Sequence, residues 1–170
     1  GAATVTGSDY PTGAFPIPDL SSPFLPTSPC FCAGTSLATP GGPVAVEDLA
    51  PGDEVSSAFG GPCVVRWVGR RRLECRRHPR PWDVMPVRIA AGAFGPGRPR
   101  RDLFLSPDHA LFVDGVLIPV RYLLNGATIA QQEADGVSYF HVEVQDEAGA
   151  ASHAVLLAEN LPAESYLDTG

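Results

Sequence analysis

The sequence contains no lysine; its 12 basic side chains are all arginines. That excludes a side-chain amine as nucleophile. Positive charge is short overall, with 19 acidic residues against those 12 and a net charge of -7. A nucleic-acid-binding domain leans the other way, so no nucleic-acid partner is expected. No apolar run approaches the roughly 18 residues that a membrane-spanning helix needs, and no charged-then-apolar leader opens the sequence. No long stretch repeats its apolar residues at a helical period, which argues against an α-helical core. Cysteine is sparse, with four: Cys30, Cys32, Cys63 and Cys75. Cys30 and Cys32 form C-x-C, neither a redox C-x-x-C nor a zinc half-site of ordinary spacing, and no metal or organic cofactor is expected. An even count permits disulfides, Cys63 with Cys75 or Cys30 with Cys32, but a chain that is 44% hydrophobic does not need them to fold.

Glycine and proline are abundant at 18 each, the composition of short strands joined by turns. Residues 1–29 carry six prolines among Gly, Ser and Thr and read as a linker or extended arm. From Ser36 onward the pattern changes to strands and turns. Strands are expected over 63–68, 84–90, 102–105, 137–144 and 153–157. Ala110-Leu111-Phe112-Val113 and Val116-Leu117-Ile118-Pro119 flank Asp114-Gly115, a strong hairpin signal. Residues 78–83 and 92–101 read as loops, 120–124 as a single helical turn, and 127–133 as mixed. The arginines at 70–72 and 76–77 read as a solvated face. The expectation is one compact all-β domain of hairpins.

The residues that suggest chemistry are few. Cys30 stands at the joint between the loose arm and the first β-like run. A thiol there can attack the carbonyl of its own preceding residue, converting the Pro29–Cys30 peptide bond into a thioester. That requires a thiolate, donors for the carbonyl oxygen as it turns tetrahedral, and a proton for the departing nitrogen. His109, in Ser106-Pro107-Asp108-His109, is the leading candidate for proton donor and carbonyl polariser. Ser106 can hold it or contact the scissile group, or simply bond the turn backbone. His153 can reach the same place if the strands close around it. His141 lies between apolar neighbours in a strand and suits a site or a core equally. Cys32 reads as core, Asp108 as a turn former and His78 as a solvent-facing loop residue.

These residues resemble a family. Cys30-Phe31-x-Ala33-Gly34-Thr35-x-Leu37-x-Thr39 and Val46-Glu47-Asp48-Leu49-x-Pro51-Gly52-Asp53-x-Val55 are similar to the opening of Hint (Hedgehog/intein) domains. Leu105-Ser106-Pro107-Asp108-His109-Ala110-Leu111 resembles the middle block of that family. Tyr139-x-His141-Val142-Glu143 and His153-Ala154-Val155 resemble its final blocks, and residues 161–170 resemble a bacterial subfamily found in secreted proteins. The resemblance spans 30–170. It implies a horseshoe-shaped, pseudo-twofold all-β fold and self-processing; a monomer is the separate expectation. Cys30 would be the nucleophile, His109 the activator of the scissile amide, and Ser106 and His153 supporting members; the resemblance does not settle the role of His141, which stays a candidate site residue. The substrate would be the chain's own upstream polypeptide, and the acceptor water or another small nucleophile. A secreted or cell-surface location in a bacterium follows from the resemblance only.

Inteins end in His-Asn before Cys, Ser or Thr, whereas this sequence reads Asn160-Leu161-Pro162-Ala163-Glu164-Ser165. Asparagine cyclisation therefore has no evident partner, and N-terminal cleavage or acyl transfer is expected in place of full splicing. Two alternatives stay open: a β-rich binding or adhesion module with structural cysteines, and a cysteine hydrolase acting on other chains.

Overall fold

A computed structural model of the chain describes residues 28–166. The expected arm lies outside them except for Ser28 and Pro29. The described residues form fourteen strands and no α-helix. They are β1 Phe31–Cys32, β2 Ser36–Leu37, β3 Val44–Ala45, β4 Glu54–Val55, β5 Cys63–Glu74, β6 Val87–Ile89 and β7 Leu103–Leu105. Next come β8 Ala110–Val113, β9 Val116–Pro119, β10 Ile129–Gln131, β11 Gly136–Gln145, β12 Ala151–Ser152, β13 Val155–Ala158 and β14 Leu161–Glu164. One sheet runs β10-β6-β7-β1-β11-β5-β4, with β12 also on β11; the other runs β3-β2-β13-β14-β8-β9. All the pairings between these strands are antiparallel.

Local chemistry sets several of these elements. The hairpin of β8 and β9 turns through Asp114 and Gly115, both at positive φ (48° and 87°), the turn whose twist suits a two-residue hairpin. The turn from β13 to β14 uses Glu159 and Asn160 at φ 47° and 69°, a conformation that side chains other than glycine resist. Glu159 is held there by bonds beyond the turn. Its Oε1 accepts from the Ser36 amide at 2.7 Å and lies 2.8 Å from Arg101 Nη2. The carboxylate thus ties β2 to the β13–β14 turn.

Four expectations need correction. β5 does not stop at Val68 but continues to Glu74, because the neighbouring ten-residue β11 supplies a pairing partner along the arginine run. The strand expected over 84–90 is only Val87–Ile89; Val84 and Met85 instead pack on Cys75 in a small buried cluster. A 3-10 turn, Pro81–Asp83, lies in the expected loop, started by a proline whose fixed φ suits that position. Ile129–Gln131 is a strand, paired with β6.

Alternation along the strands decides what faces what. Phe31, Phe140, Val142 and Val144 join the main core. Cys30, Cys32 and Tyr139 form a separate buried cluster on the opposite face. The four cysteines are free thiols, so neither disulfide is formed.

Candidate active site at the Pro29–Cys30 bond

β1 places the candidate scissile bond, Pro29–Cys30, in mid-sheet. Phe31 pairs with Phe140 of β11 and with Leu105 of β7. The Ser106 amide donates to the Cys30 carbonyl at 3.0 Å, which continues that pairing to the residue that matters. The Cys30 amide donates to Ser106 Oγ at 3.0 Å, so the nitrogen of the Pro29–Cys30 bond sits on a hydroxyl. The Cys30 thiol donates to the Ser28 carbonyl at 3.1 Å.

His141 stands over the bond on the outer face of β11. Its Nδ1 is 3.2 Å from the Pro29 carbonyl oxygen. The Cys30 sulfur lies 3.4 Å from Nε2 and 3.6 Å from Nδ1. Because both nitrogens are almost equally near, the sulfur straddles the ring and does not lie along one lone pair. A neutral ring carrying its proton on Nδ1 can donate to the carbonyl while Nε2 stays free for the thiol proton. Burial holds the His141 pKa below the ordinary range, with the Pro29 carbonyl opposing and the Arg71 charge adding to the shift. Burial also pushes the Cys30 thiol up to about 12, against the opposing effects of Ser106 and Arg71. The thiol is therefore protonated at neutral pH and needs a base beside it, which His141 is placed to be.

His109 lies on the other face. It is fully buried, edge-on to the Phe31 ring with centroids 4.4 Å apart. Its Nε2 meets the Glu164 carbonyl at 2.9 Å, and its Nδ1 has no hydrogen-bond partner. Burial lowers its pKa to about 4, although the backbones of Cys30 and Glu164 both favour the charged ring. His153 makes no contact with the scissile bond. Its Nε2 lies 3.1 Å from Glu164 Oε2, and Glu164 Oε1 accepts from the Ala110 amide. It thus reaches the site through Glu164, whose backbone carbonyl bonds His109, and through a weaker electrostatic effect on the His109 ring. Asp108 forms an ion pair with Arg121 at 2.6 Å. A cavity of about 50 Å³, lined by Cys30, Arg71, Asp83, Ser106, Tyr139 and His141, opens beside the sulfur and has room for water.

The structure thus brings Cys30, Ser106 and His141 into direct contact, places His109 behind the same strand, and leaves His153 a layer away. Arg71 is a site residue that sequence reasoning missed, since it was read as one more solvated arginine. Its signal was parity: it stands opposite Tyr139, on the face that carries His141.

The profile of the family described as Hint domain matches residues 29–170. The chain is a Hint domain. The Hint fold is also what solved structures share with it. An intein-like domain from Clostridium thermocellum superposes with a TM-score of 0.58 at 18% identity, covering 81% of this Hint domain and 98% of that chain. The gp41-1 intein gives 0.55 at 15%, covering 79% and 97%. The MchDnaB-1 intein gives 0.53 at 18%, covering 78% and 98%. At such identities the likeness concerns the fold. A comparison of this Hint domain with curated proteins returned no match.

Proposed function

We propose that this self-processing domain cleaves the chain at the Pro29–Cys30 bond through an N-to-S acyl shift. The observation that carries the reading is that one imidazole, His141, touches both the attacking sulfur and the carbonyl under attack. His141 Nε2 takes the thiol proton as the Cys30 sulfur bonds to the Pro29 carbonyl carbon. The Nδ1 proton stabilises the oxygen as it becomes negative. The C–N bond then breaks, and the Cys30 nitrogen leaves as an amine after gaining a proton. That proton is the one His141 took from the thiol, handed on through the cavity that His141 and Ser106 share to the Ser106 hydroxyl at the nitrogen, while His109 bears on the Cys30 backbone from the core side. Water entering by the cavity attacks the thioester, leaving a carboxylate on Pro29 and a free thiol on Cys30. The acyl group belongs to a proline, whose ring hinders attack and slows the first step.

The test is intact mass during incubation with and without dithiothreitol. The wild-type chain loses residues 1–29, faster with thiol, and Cys30→Ala stays at full mass. A wild-type chain that keeps its full mass under both conditions supports the binding-module reading and overturns this one.

A further inference from the structure

His141 does two things in the reading above, and both depend on how its ring is turned. A catalytic histidine is ordinarily oriented by a third polar group. Here the hydrogen bonds of the ring run to the reacting groups themselves, Cys30 and Pro29. What flanks it is aromatic. The Trp67 indole stacks on the His141 ring at 6.4 Å between centroids and 25° between planes. Tyr166 meets the same ring edge-on at 4.9 Å, and Trp67 and Tyr166 are themselves 5.9 Å apart. Three rings from β5, β11 and the segment after β14 therefore pack on one another.

The backbone is shaped for this contact. His141 stands opposite Gly69, and Trp67 stands opposite Glu143, two residues along on the same face. To reach His141 the indole lies back over Gly69. A Cβ at position 69 would come within 2.6 Å of the indole Cζ2 and closer still to its outermost carbon, which no packing tolerates. A glycine in mid-strand weakens a strand and marks a place where something approaches the backbone closely. Trp67 is nonetheless 47% exposed, so burial in the main core does not account for its placement. Among the described residues, the charged or titratable groups around the imidazole, besides Tyr166, include Cys30 just before β1, Tyr139 and Glu143 of β11 with Arg66 paired to Glu143, Arg71 of β5, His109 beyond the candidate scissile strand, and Asp83 across the cavity.

We propose that Trp67 is a positioning residue: its indole, seated over Gly69 and joined by Tyr166, clamps the His141 imidazole with Nδ1 at the Pro29 carbonyl and Nε2 open to the Cys30 proton. The proposal rests on the self-cleavage reading for its consequence, but the clamp has a readout of its own. In a Trp82→Phe background Trp67 is the sole indole, and an imidazolium stacked on it quenches its emission. Emission falls as the pH is lowered through the His141 titration, and His141→Gln removes that transition. For cleavage, Trp67→Ala slows the reaction by roughly 10- to 100-fold, the scale of a small misplacement of a reacting group. Trp67→Phe, which keeps a ring, recovers most of the loss. Gly69→Ala costs about as much as Trp67→Ala in the wild-type background and almost nothing once Trp67 is alanine, because both changes act on one contact. Additive losses from Gly69→Ala and Trp67→Ala, or an emission transition that survives His141→Gln, overturn the clamp. A wild-type chain that does not cleave overturns the self-processing reading, while the emission titration still decides whether the clamp exists.

Discussion

The two faces of β1 treat their histidines differently. On the core face, His109 is sealed against Phe31 and the Glu164 carbonyl, and its pKa is driven down to about 4. On the outer face, His141 is only half-buried, packs on the exposed Trp67 and the half-buried Tyr166, and opens on a cavity. The scissile amide passes between them. Its carbonyl oxygen and the attacking sulfur belong to the outer face, whereas its nitrogen is held by Ser106, next to the turn that carries His109. The lesson is a division of labour by depth. In the proposed reaction, the ring that exchanges a proton, His141, stands where water can reach it, and the ring assigned to the leaving nitrogen, His109, stands where water cannot compete for it.

Substitutions can break or sharpen this contrast. The largest effect is expected from His141→Ala, which removes both the base and the carbonyl donor; thioester formation should fall by about 3–4 kcal/mol in barrier terms, measured as the single-turnover rate by intact mass. Ser106→Ala should cost less, about 1–2 kcal/mol, because the Cys30 amide loses its acceptor while both imidazoles remain. Equal losses at the two positions would erase the proposed division.

Acid should also separate the two rings. His109 folds with a pKa of about 4, below the ordinary 6.5, so the unfolded chain takes up that proton first as the pH falls. Its contribution to stability is complete above about pH 6.5 and is lost progressively toward pH 4, by roughly 3 kcal/mol in all. Denaturant midpoints against pH should show this fall, and His109→Gln should flatten it. Cleavage, in contrast, should lose rate on acidification because His141 charges and can no longer take the thiol proton. That limb lies below pH 6.5, since burial lowers the His141 pKa. It should survive His109→Gln.

Much of this molecule is readable from its residues. Asp114-Gly115 announces its hairpin, and the apolar runs of β8 and β9 on either side of it can be read without any partner strand. What stays hidden depends on strand register. Whether His141 faces core or site is a matter of parity. Parity has meaning only once Phe31 is known to pair with Phe140, residues more than a hundred positions apart. The same holds for Arg71, which looks like its neighbours until Tyr139 is found opposite it. The far half of β5 is concealed for a related reason. Arginines at 70–72 carry little strand preference of their own, and only the partner strand holds them extended, with Arg70 also lying over the Phe140 ring at 5.7 Å. One signal was available and unused: the lone Gly69 two residues after Trp67 inside a strand pattern points to a close approach.

The most direct test of the central claim is to trap the acyl group. Treatment with hydroxylamine should release a fragment of residues 1–29 ending in a hydroxamate on Pro29, together with a chain that begins at Cys30. Cys30→Ala should yield neither. A wild-type chain that gives no hydroxamate, or one cut at another bond, would contradict attack of the Cys30 sulfur on the Pro29 carbonyl.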